Sequence, residues 1–180
     1  MTTATQLITA EQLLRLSGEG RFELVKGELF TMSPSGEEHG AITVRITVRL
    51  GEFVAAHKLG IVYGAETGFK LESDPDTVLA PDVAFISREK VKKLSKGYRT
   101  GPPDLAVEVI SPGDSQRRIE QKTLRWLRGG ASVVWNIDPN SRTVTVHRLN
   151  SEPRLLVERD DLTDDDLLPG FRLPISQIFF

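Results

Sequence analysis

The fold is decided by one hydrophobic stretch with a carboxylate in its middle, Asp104-Leu105-Ala106-Val107-Glu108-Val109-Ile110-Ser111-Pro112. Leucine, valine and isoleucine dominate it, and proline bounds it at both ends. An apolar run of this length and composition predicts a strand buried in a sheet. Because side chains alternate along a strand, Glu108 shares one face with Ala106 and Ile110, and the two valines lie on the other face.

A second carboxylate opens a similar run upstream, Pro81-Asp82-Val83-Ala84-Phe85-Ile86-Ser87. A buried carboxylate without a partner is costly, so Glu108 must be paired, protonated or bound to a metal. If the two strands are neighbours, Asp82 and Glu108 converge on one hard cation. The alternative is structural, with Glu108 in an ion pair with a helix arginine or lysine and Asp82 in a turn. Both interpretations stay open at this point, because structural carboxylate pairs are also common.

The composition is that of one globular domain of ordinary size. The chain has 180 residues, of which 27% are charged and 39% hydrophobic, which is typical of a folded protein rather than a disordered one. Its net charge of −2 gives no support for nonspecific polyanion binding, although the sequence holds a local basic cluster. That cluster consists of Arg117, Arg118, Lys122, Arg125 and Arg128. Because there is no cysteine, disulfides, zinc–thiolate sites and thiol nucleophiles are excluded.

The sequence carries no visible targeting or membrane segment. Its start, Met1-Thr2-Thr3-Ala4-Thr5-Gln6, lacks a basic segment followed by an apolar core, so we expect no signal peptide. No apolar run approaches the length of a membrane-spanning helix. We therefore expect a soluble, cytoplasmic protein.

The first third of the chain predicts a helix, a hairpin and one segment that its pattern leaves open. Thr9 followed by Gln12 is a capping-box signature for a short helix. Lys26-Gly27 between two strand-like runs is a two-residue hairpin signal. Over residues 37–58 the apolar side chains alternate as in a strand and also fall on a helical stripe, and periodicity alone does not decide. The length of this segment and its acidic start favour a helix.

The order of the later elements predicts the fold class. A helix over residues 116–128, ended by Gly129-Gly130, separates the central strand from a further strand at 131–137. The runs at 143–149 and 154–157 predict an antiparallel meander. The sequence therefore predicts an α+β fold with an α/β-type core, in which helices flank a central mixed sheet, with an N-terminal hairpin and a C-terminal antiparallel meander. We expect one domain over the whole chain.

Several short motifs, taken in order, resemble one family. They are Gly27-Glu28-Leu29, Met32-Ser33-Pro34 with His39, Pro81-Asp82-Val83, the central strand from Pro103 to Pro112, Lys122, Gly129-Gly130 before Trp135, and Asp138-Pro139. Any one of these motifs is weak, whereas the ordered set covers nearly the whole chain and is specific. The chain is similar to the Uma-two family of restriction-endonuclease-like proteins, within the PD-(D/E)XK nuclease superfamily.

The resemblance implies a restriction-endonuclease-like core and metal-dependent cleavage of phosphodiester bonds. It makes Asp82 the first acid and Glu108 the second, with the backbone carbonyl of Val109 as a further ligand. Mg²⁺, with Mn²⁺ as a substitute, suits this set because it takes one or two carboxylates, phosphate oxygens and several waters. The superfamily signature has a lysine two residues after the second acid, where this chain has Ile110. The resemblance assigns the role of that lysine to Lys122 in the following helix.

The resemblance also implies roles for the side chains around these acids. A metal-bound water would be the nucleophile, and Lys122 would orient it, deprotonate it or stabilise the charge that develops on the phosphorus group. Glu28 and His39 are candidates for a second metal or for holding a ligand water. Arg118 and Arg125 are candidates for phosphate contacts, because a guanidinium fits two oxygens at once.

Two functions stay open at this point. The first is an endonuclease acting on nucleic acid, most simply DNA, as a homodimer, because two symmetric sites would cut both strands of a duplex. The second is a catalytically inactive module that keeps the nuclease fold and binds nucleic acid or a protein without cleavage, because a fold does not determine a function. The missing strand lysine favours the second function, and the presence of both acids favours the first.

Overall fold

The structure, a computed structural model, describes residues 7–16, 18, 20–91 and 93–180. The N-terminal hexapeptide, for which we predicted no signal peptide, lies outside these residues. Within the described residues the chain forms three α-helices and thirteen β-strands. The helices are α1 (Ala10–Arg15), α2 (Glu37–His57) and α3 (Gln116–Arg128). The strands are β1 (Arg21–Val25), β2 (Glu28–Met32), β3 (Gly60–Tyr63), β4 (Phe69–Glu72), β5 (Thr77–Leu79), β6 (Val83–Ser87), β7 (Arg99–Thr100), β8 (Leu105–Val109), β9 (Val133–Asp138), β10 (Thr143–His147), β11 (Arg154–Leu156), β12 (Asp161–Leu162) and β13 (Leu173–Pro174).

Most of the strands belong to two sheets. The larger sheet has the order β11-β10-β9-β8-β6-β3. It is mixed, because β8 pairs parallel with β9, whereas every other pair of neighbouring strands in this sheet is antiparallel. The smaller sheet has the order β2-β1-β5-β4-β7, and β12 pairs with β13 apart from both. The predicted α+β class, with helices around a mixed sheet, is therefore confirmed. The structure adds that the hairpin β1–β2 belongs to a second sheet, which the sequence analysis did not separate from the first.

The segment at residues 37–58, whose length and acidic start favoured a helix over a strand, forms the long helix α2 over Glu37–His57. Its helical stripe is buried, with Ile42, Ile46 and Leu50 at most 1% exposed, whereas Val44 and Val48 are 62% and 48% exposed. The apolar residues at helical spacing are therefore the ones that pack into the core, and the alternating pattern does not correspond to burial. Although α2 has 21 residues, neither it nor any other helix in the described part of the chain is long and apolar enough to cross a membrane.

The two longer helices cover opposite faces of the six-stranded sheet. The buried stripe of α2 packs in one core cluster with Val83 and Val107. Trp126 of α3 packs in a second cluster with Ala84 and Ala106, which are adjacent to Val83 and Val107 in the same two strands. Because neighbouring residues of a strand point to opposite faces, α2 and α3 lie on different sides of the sheet. The helix α3 thus forms the crossover connection between the parallel strands β8 and β9.

The hairpin and the meander form as the sequence predicted. Lys26 and Gly27 both adopt positive φ, at 50° and 80°, as a two-residue turn between twisted antiparallel strands requires. At the other end of the chain, β9, β10 and β11 pair antiparallel in succession.

The strands that carry the two predicted acids are neighbours. In the antiparallel pair β6–β8, Val83 lies opposite Val107, and the backbone N–H of Asp82 donates to the carbonyl of Val107 at 3.0 Å. Asp82 therefore lies directly before β6, beside the end of β8 that carries Glu108. The candidate site lies at this end of the strand pair, where the chain leaves β8 towards α3.

The close contact between β3 and β6 gives a test of this topology. A Cβ added to Gly60 in β3 would lie 2.0 Å from the carbonyl oxygen of Ile86, so the two strands would have to separate. We expect Gly60→Ala to lower the free energy of unfolding by about 3 kcal/mol in urea denaturation. Gly51→Ala is the matched control, because Gly51 lies inside α2 with open space at its Cβ position, and alanine there should stabilise by about 0.5–1 kcal/mol. Equal stability of Gly60→Ala and the wild type would contradict the described β3–β6 pairing.

Candidate active site

A cleft of about 470 Å³ opens at the end of the β6–β8 strand pair. Its walls come from the end of β2 and the loop after it, from the first turn of α2, from the loop after β8 and from the first half of α3. Among the side chains that line it are Asp82, Glu108, Lys122, His39 and Arg118. Most of the predicted site residues therefore meet at one concave surface.

Glu108 and Lys122 form an ion pair inside the cleft. The Nζ of Lys122 lies 2.9 Å from Glu108 Oε2, and their side chains are 19% and 14% exposed. The indole Nε1–H of Trp126 donates to Glu108 Oε1 at 2.7 Å. Lys122 and Trp126 are one turn apart in α3, so both face β8 and contact different oxygens of the same carboxylate. Lys122 of the helix therefore contacts Glu108, the second predicted acid. Ile110 also lines the cleft, but its side chain is uncharged.

A third carboxylate, Glu23, joins this pair, and the sequence analysis missed it. The Glu23 Oε1 lies 3.0 Å from Lys122 Nζ and accepts the backbone N–H of Ala80 at 3.1 Å. Glu23 belongs to β1 in the smaller sheet and is 8% exposed, although a lone glutamate in a hairpin strand is usually solvated. No local pattern in the sequence distinguishes it, because its burial results from the packing of the smaller sheet against the site.

Asp82 is held by the backbone of the neighbouring strand and by His39. Its Oδ2 accepts the backbone N–H of Val109 at 2.8 Å and lies 3.4 Å from His39 Nε2. His39 is in the first turn of α2 and is 9% exposed. The hydrogen bond to Asp82 raises the pKa of His39 above its ordinary value, against the opposing effect of burial. These contacts place His39 beside the first acid.

Burial and neighbouring charges perturb both members of the central ion pair. Burial raises the pKa of the Glu108 carboxyl to about 8; Lys122 opposes this rise, and Asp82 and Glu23 add to it. Burial lowers the pKa of Lys122, but Glu108 and Glu23 together raise it above its ordinary value. Lys122 is therefore held as an ammonium ion, and Glu108 keeps a proton to higher pH than an exposed glutamate.

The donor set fits a hard divalent cation that keeps much of its water. Among the described residues no group of three or more histidine, aspartate and glutamate side chains is arranged to hold a metal ion. Mg²⁺ does not require one, because it commonly takes one or two carboxylates and completes its shell with water and phosphate oxygens. Asp82 and Glu108 supply two carboxylates on the same cleft.

Two of the predicted site residues lie elsewhere. Glu28 is exposed at the start of β2 and does not line the cleft. Arg125 lines a separate groove beside Lys26, two turns of α3 away from Arg118. Neither residue lines the cleft that holds the acids, because one lies at the hairpin turn and the other lies further along the helix.

The family assignment follows from a comparison with known protein families. The Uma2 model, described as "Putative restriction endonuclease", matches residues 10–176. This chain belongs to the Uma2 family. The predicted resemblance is therefore confirmed, and the family description supports a nuclease whose substrate is nucleic acid.

The fold of this Uma2 chain also matches a solved structure. It is similar to a crystal structure described as that of a putative nuclease belonging to DUF820 from Anabaena variabilis, with 21% sequence identity and a TM-score of 0.82. The match covers 95% of this chain and 97% of the other. Similarity at this identity establishes the fold alone, and it agrees with the predicted mixed α+β class. No curated protein of described function matches the chain.

The raised pKa of Glu108 predicts how stability depends on pH. The folded state keeps a proton on Glu108 between about pH 4.5, the ordinary value, and about pH 8, whereas the unfolded state has lost it. Because the folded state binds more protons in this window, its stability falls as pH rises through the window. Glu108→Gln cannot ionise, so its free energy of unfolding should fall less between pH 6 and pH 8 than that of the wild type. Urea denaturation across this range measures the difference, and parallel pH profiles for the two proteins would contradict the shift.

Proposed function

We propose that this Uma2 protein is a metal-dependent endonuclease that hydrolyses phosphodiester bonds of nucleic acid. DNA is the first substrate to test. The observation that supports this most is the contact between Lys122 Nζ and Glu108 Oε2, on the same cleft as Asp82. It gives this chain two acids and a lysine at one place, although the strand position two residues after Glu108 holds isoleucine.

Asp82 and Glu108, with the backbone carbonyl of Val109, are the groups that would hold Mg²⁺ or Mn²⁺. When bound, such an ion supplies positive charge for the phosphate oxygens and makes an attacking water more acidic. The Val109 N–H and His39 both bind Oδ2 of Asp82, and Trp126 binds Oε1 of Glu108. These partners orient both carboxylates before any ligand enters the site.

Lys122 acts as a charged hydrogen-bond donor rather than as a base. Glu108 and Glu23 raise its pKa, so its amine carries a full set of protons and cannot accept another. An ammonium ion in a largely buried site orients a water molecule and stabilises negative charge that develops on the phosphate in the transition state. Of the roles considered for this lysine, these two agree with its surroundings.

Arg118 is the residue that we propose to contact the phosphate backbone. It is exposed on the first turns of α3 and lines the cleft, with its Nη2 3.7 Å from Met32 Sδ on the opposite wall. Arg125, also predicted as a phosphate contact, lies outside the cleft, so we do not include it in the site. The homodimer expected for cleavage of both strands stays a prediction.

Substitution of the acids tests the proposed reaction directly. Asp82→Asn and Glu108→Gln keep the shape of each side chain and remove its charge, so each should lower Mg²⁺- or Mn²⁺-dependent nicking of plasmid DNA by at least about 100-fold. Lys122→Met should have an effect of similar size, because it removes the donor. Glu28→Gln, outside the cleft, should cut at the wild-type rate. Nicking that persists in both acid variants rules out the mechanism, and metal-independent retention of labelled DNA without cleavage supports the inactive binding module.

The dependence of DNA binding on salt tests Arg118 separately from catalysis. In the presence of Ca²⁺, used to slow cleavage, Arg118→Ala should weaken DNA binding and reduce the slope of log K against log salt by about 1. Arg125→Ala removes the same charge from the same helix but outside the cleft, and it should change the slope less. Equal effects of the two substitutions would contradict a specific phosphate contact at Arg118.

A further inference from the structure

We infer that Glu23 is a positioning residue that balances the charge of Lys122, so that the charge of Glu108 remains available to a divalent cation. The inference rests on the proposed function and adds a residue that neither the family description nor the sequence motifs identify. It also gives the smaller sheet, to which β1 belongs, a part in the site.

The contacts around Lys122 show how its ammonium group is shared. An ammonium ion has three protons to donate. Three oxygens surround Lys122 Nζ: Glu108 Oε2 at 2.9 Å, Glu23 Oε1 at 3.0 Å and the carbonyl of Ala80 at 3.5 Å. Glu23 Oε1 also accepts the Ala80 N–H at 3.1 Å, so this carboxylate is fixed to the backbone just before Asp82. Lys122 thus has two partners that do not depend on Glu108.

The charges of the site explain why a second carboxylate is needed. Metal ligands bind in their deprotonated form, so binding of a cation requires Glu108 to give up its proton, and Asp82 and Glu108 then present two negative charges. The positive charge of Lys122 offsets one of these negative charges, and Glu23 adds one negative charge. The net charge is then −2, which matches a divalent cation. His39, in contact with Asp82, adds a positive charge only when protonated. Without Glu23, the cation would compete with Lys122 for Glu108 in a site with half the net negative charge.

Burial makes this charge balance effective. The side chains of Glu23 and Lys122 are 10% and 19% exposed, so water and salt screen their interaction only weakly. Glu23 Oε1 is already bound by Lys122 and by the backbone of Ala80. Because Lys122 is its charged partner, Glu23 acts on the site through Lys122, and the hydration of bound Mn²⁺ tests whether it also binds the cation.

Binding of Mn²⁺ to the full chain, measured by electron paramagnetic resonance at one fixed pH and ionic strength, tests the inference without relying on activity. Glu23→Gln keeps the size and hydrogen-bonding oxygen of the side chain and removes only its charge. We expect it to weaken Mn²⁺ binding about 10- to 100-fold, as loss of groups that support metal ligands commonly does. Glu28→Gln removes the same charge from an exposed position of the same hairpin, and its affinity should stay within about twofold of the wild type. Equal affinities of Glu23→Gln and the wild type would overturn the inference.

Lys122→Met gives a second measurement with the opposite sign. If Lys122 competes with the cation for Glu108, removing its charge should tighten Mn²⁺ binding even though it slows cleavage. This variant decides the question if Glu23→Gln does not fold, and weaker Mn²⁺ binding by Lys122→Met would overturn the charge balance.

The number of waters on bound Mn²⁺, obtained from line broadening in ¹⁷O-water, separates positioning from direct ligation. This number should be the same in Glu23→Gln and the wild type. One additional water in the variant would mean that Glu23 is itself a ligand, which would overturn the positioning role. If the wild type binds no Mn²⁺, both the proposed function and this inference fail. If it binds Mn²⁺ and cuts DNA while Glu23→Gln binds equally well, only the inference fails.

Discussion

The ion pair between Lys122 and Glu108 is the interaction on which the organisation of the site depends. A carboxylate in the middle of an apolar strand needs a partner, and α3 provides two, the ammonium of Lys122 and the indole N–H of Trp126. Both partners lie on one face of the helix that connects the parallel strands β8 and β9. The crossover that completes the sheet therefore also brings the lysine to the second acid.

The surrounding charges make sense as a functional arrangement more readily than as a source of stability. Burying ions carries a large desolvation penalty, and replacing such a group with apolar side chains of similar volume is often neutral or stabilising. Yet this chain gathers Glu23, Asp82, Glu108 and Lys122 at one partly buried place beside a well-packed core. Clustered, partly buried ionisable groups that line a cleft are typical of sites that bind or transform a ligand. Burial, together with the carboxylates of Asp82 and Glu23, raises the pKa of Glu108 in the same way.

Each of the two sheets contributes different residues to the site. The six-stranded sheet fixes Asp82 beside Glu108 through the β6–β8 pairing and buries α2 and α3 on its two faces. The five-stranded sheet contributes Glu23 and the wall that ends at Met32. Asp82 lies on the short connection from β5 of the smaller sheet to β6 of the larger sheet. Movement of one sheet against the other would thus change the distances among the charged groups.

The sequence by itself determined the local elements, including the central strand, the Lys26-Gly27 hairpin and the C-terminal meander, because periodicity and turn chemistry act over a few residues. It also showed two carboxylates, Asp82 and Glu108, in similar strand-like runs, and the family resemblance predicted a role for both acids and for Lys122. The length and acidic start of residues 37–58 favoured the helix that the structure confirms, whereas only the tertiary structure decided that Glu23 rather than Glu28 reaches the cleft. The physical reason is that two glutamates of one hairpin have similar local surroundings. What separates them is the packing of a second sheet, which no short stretch of sequence encodes.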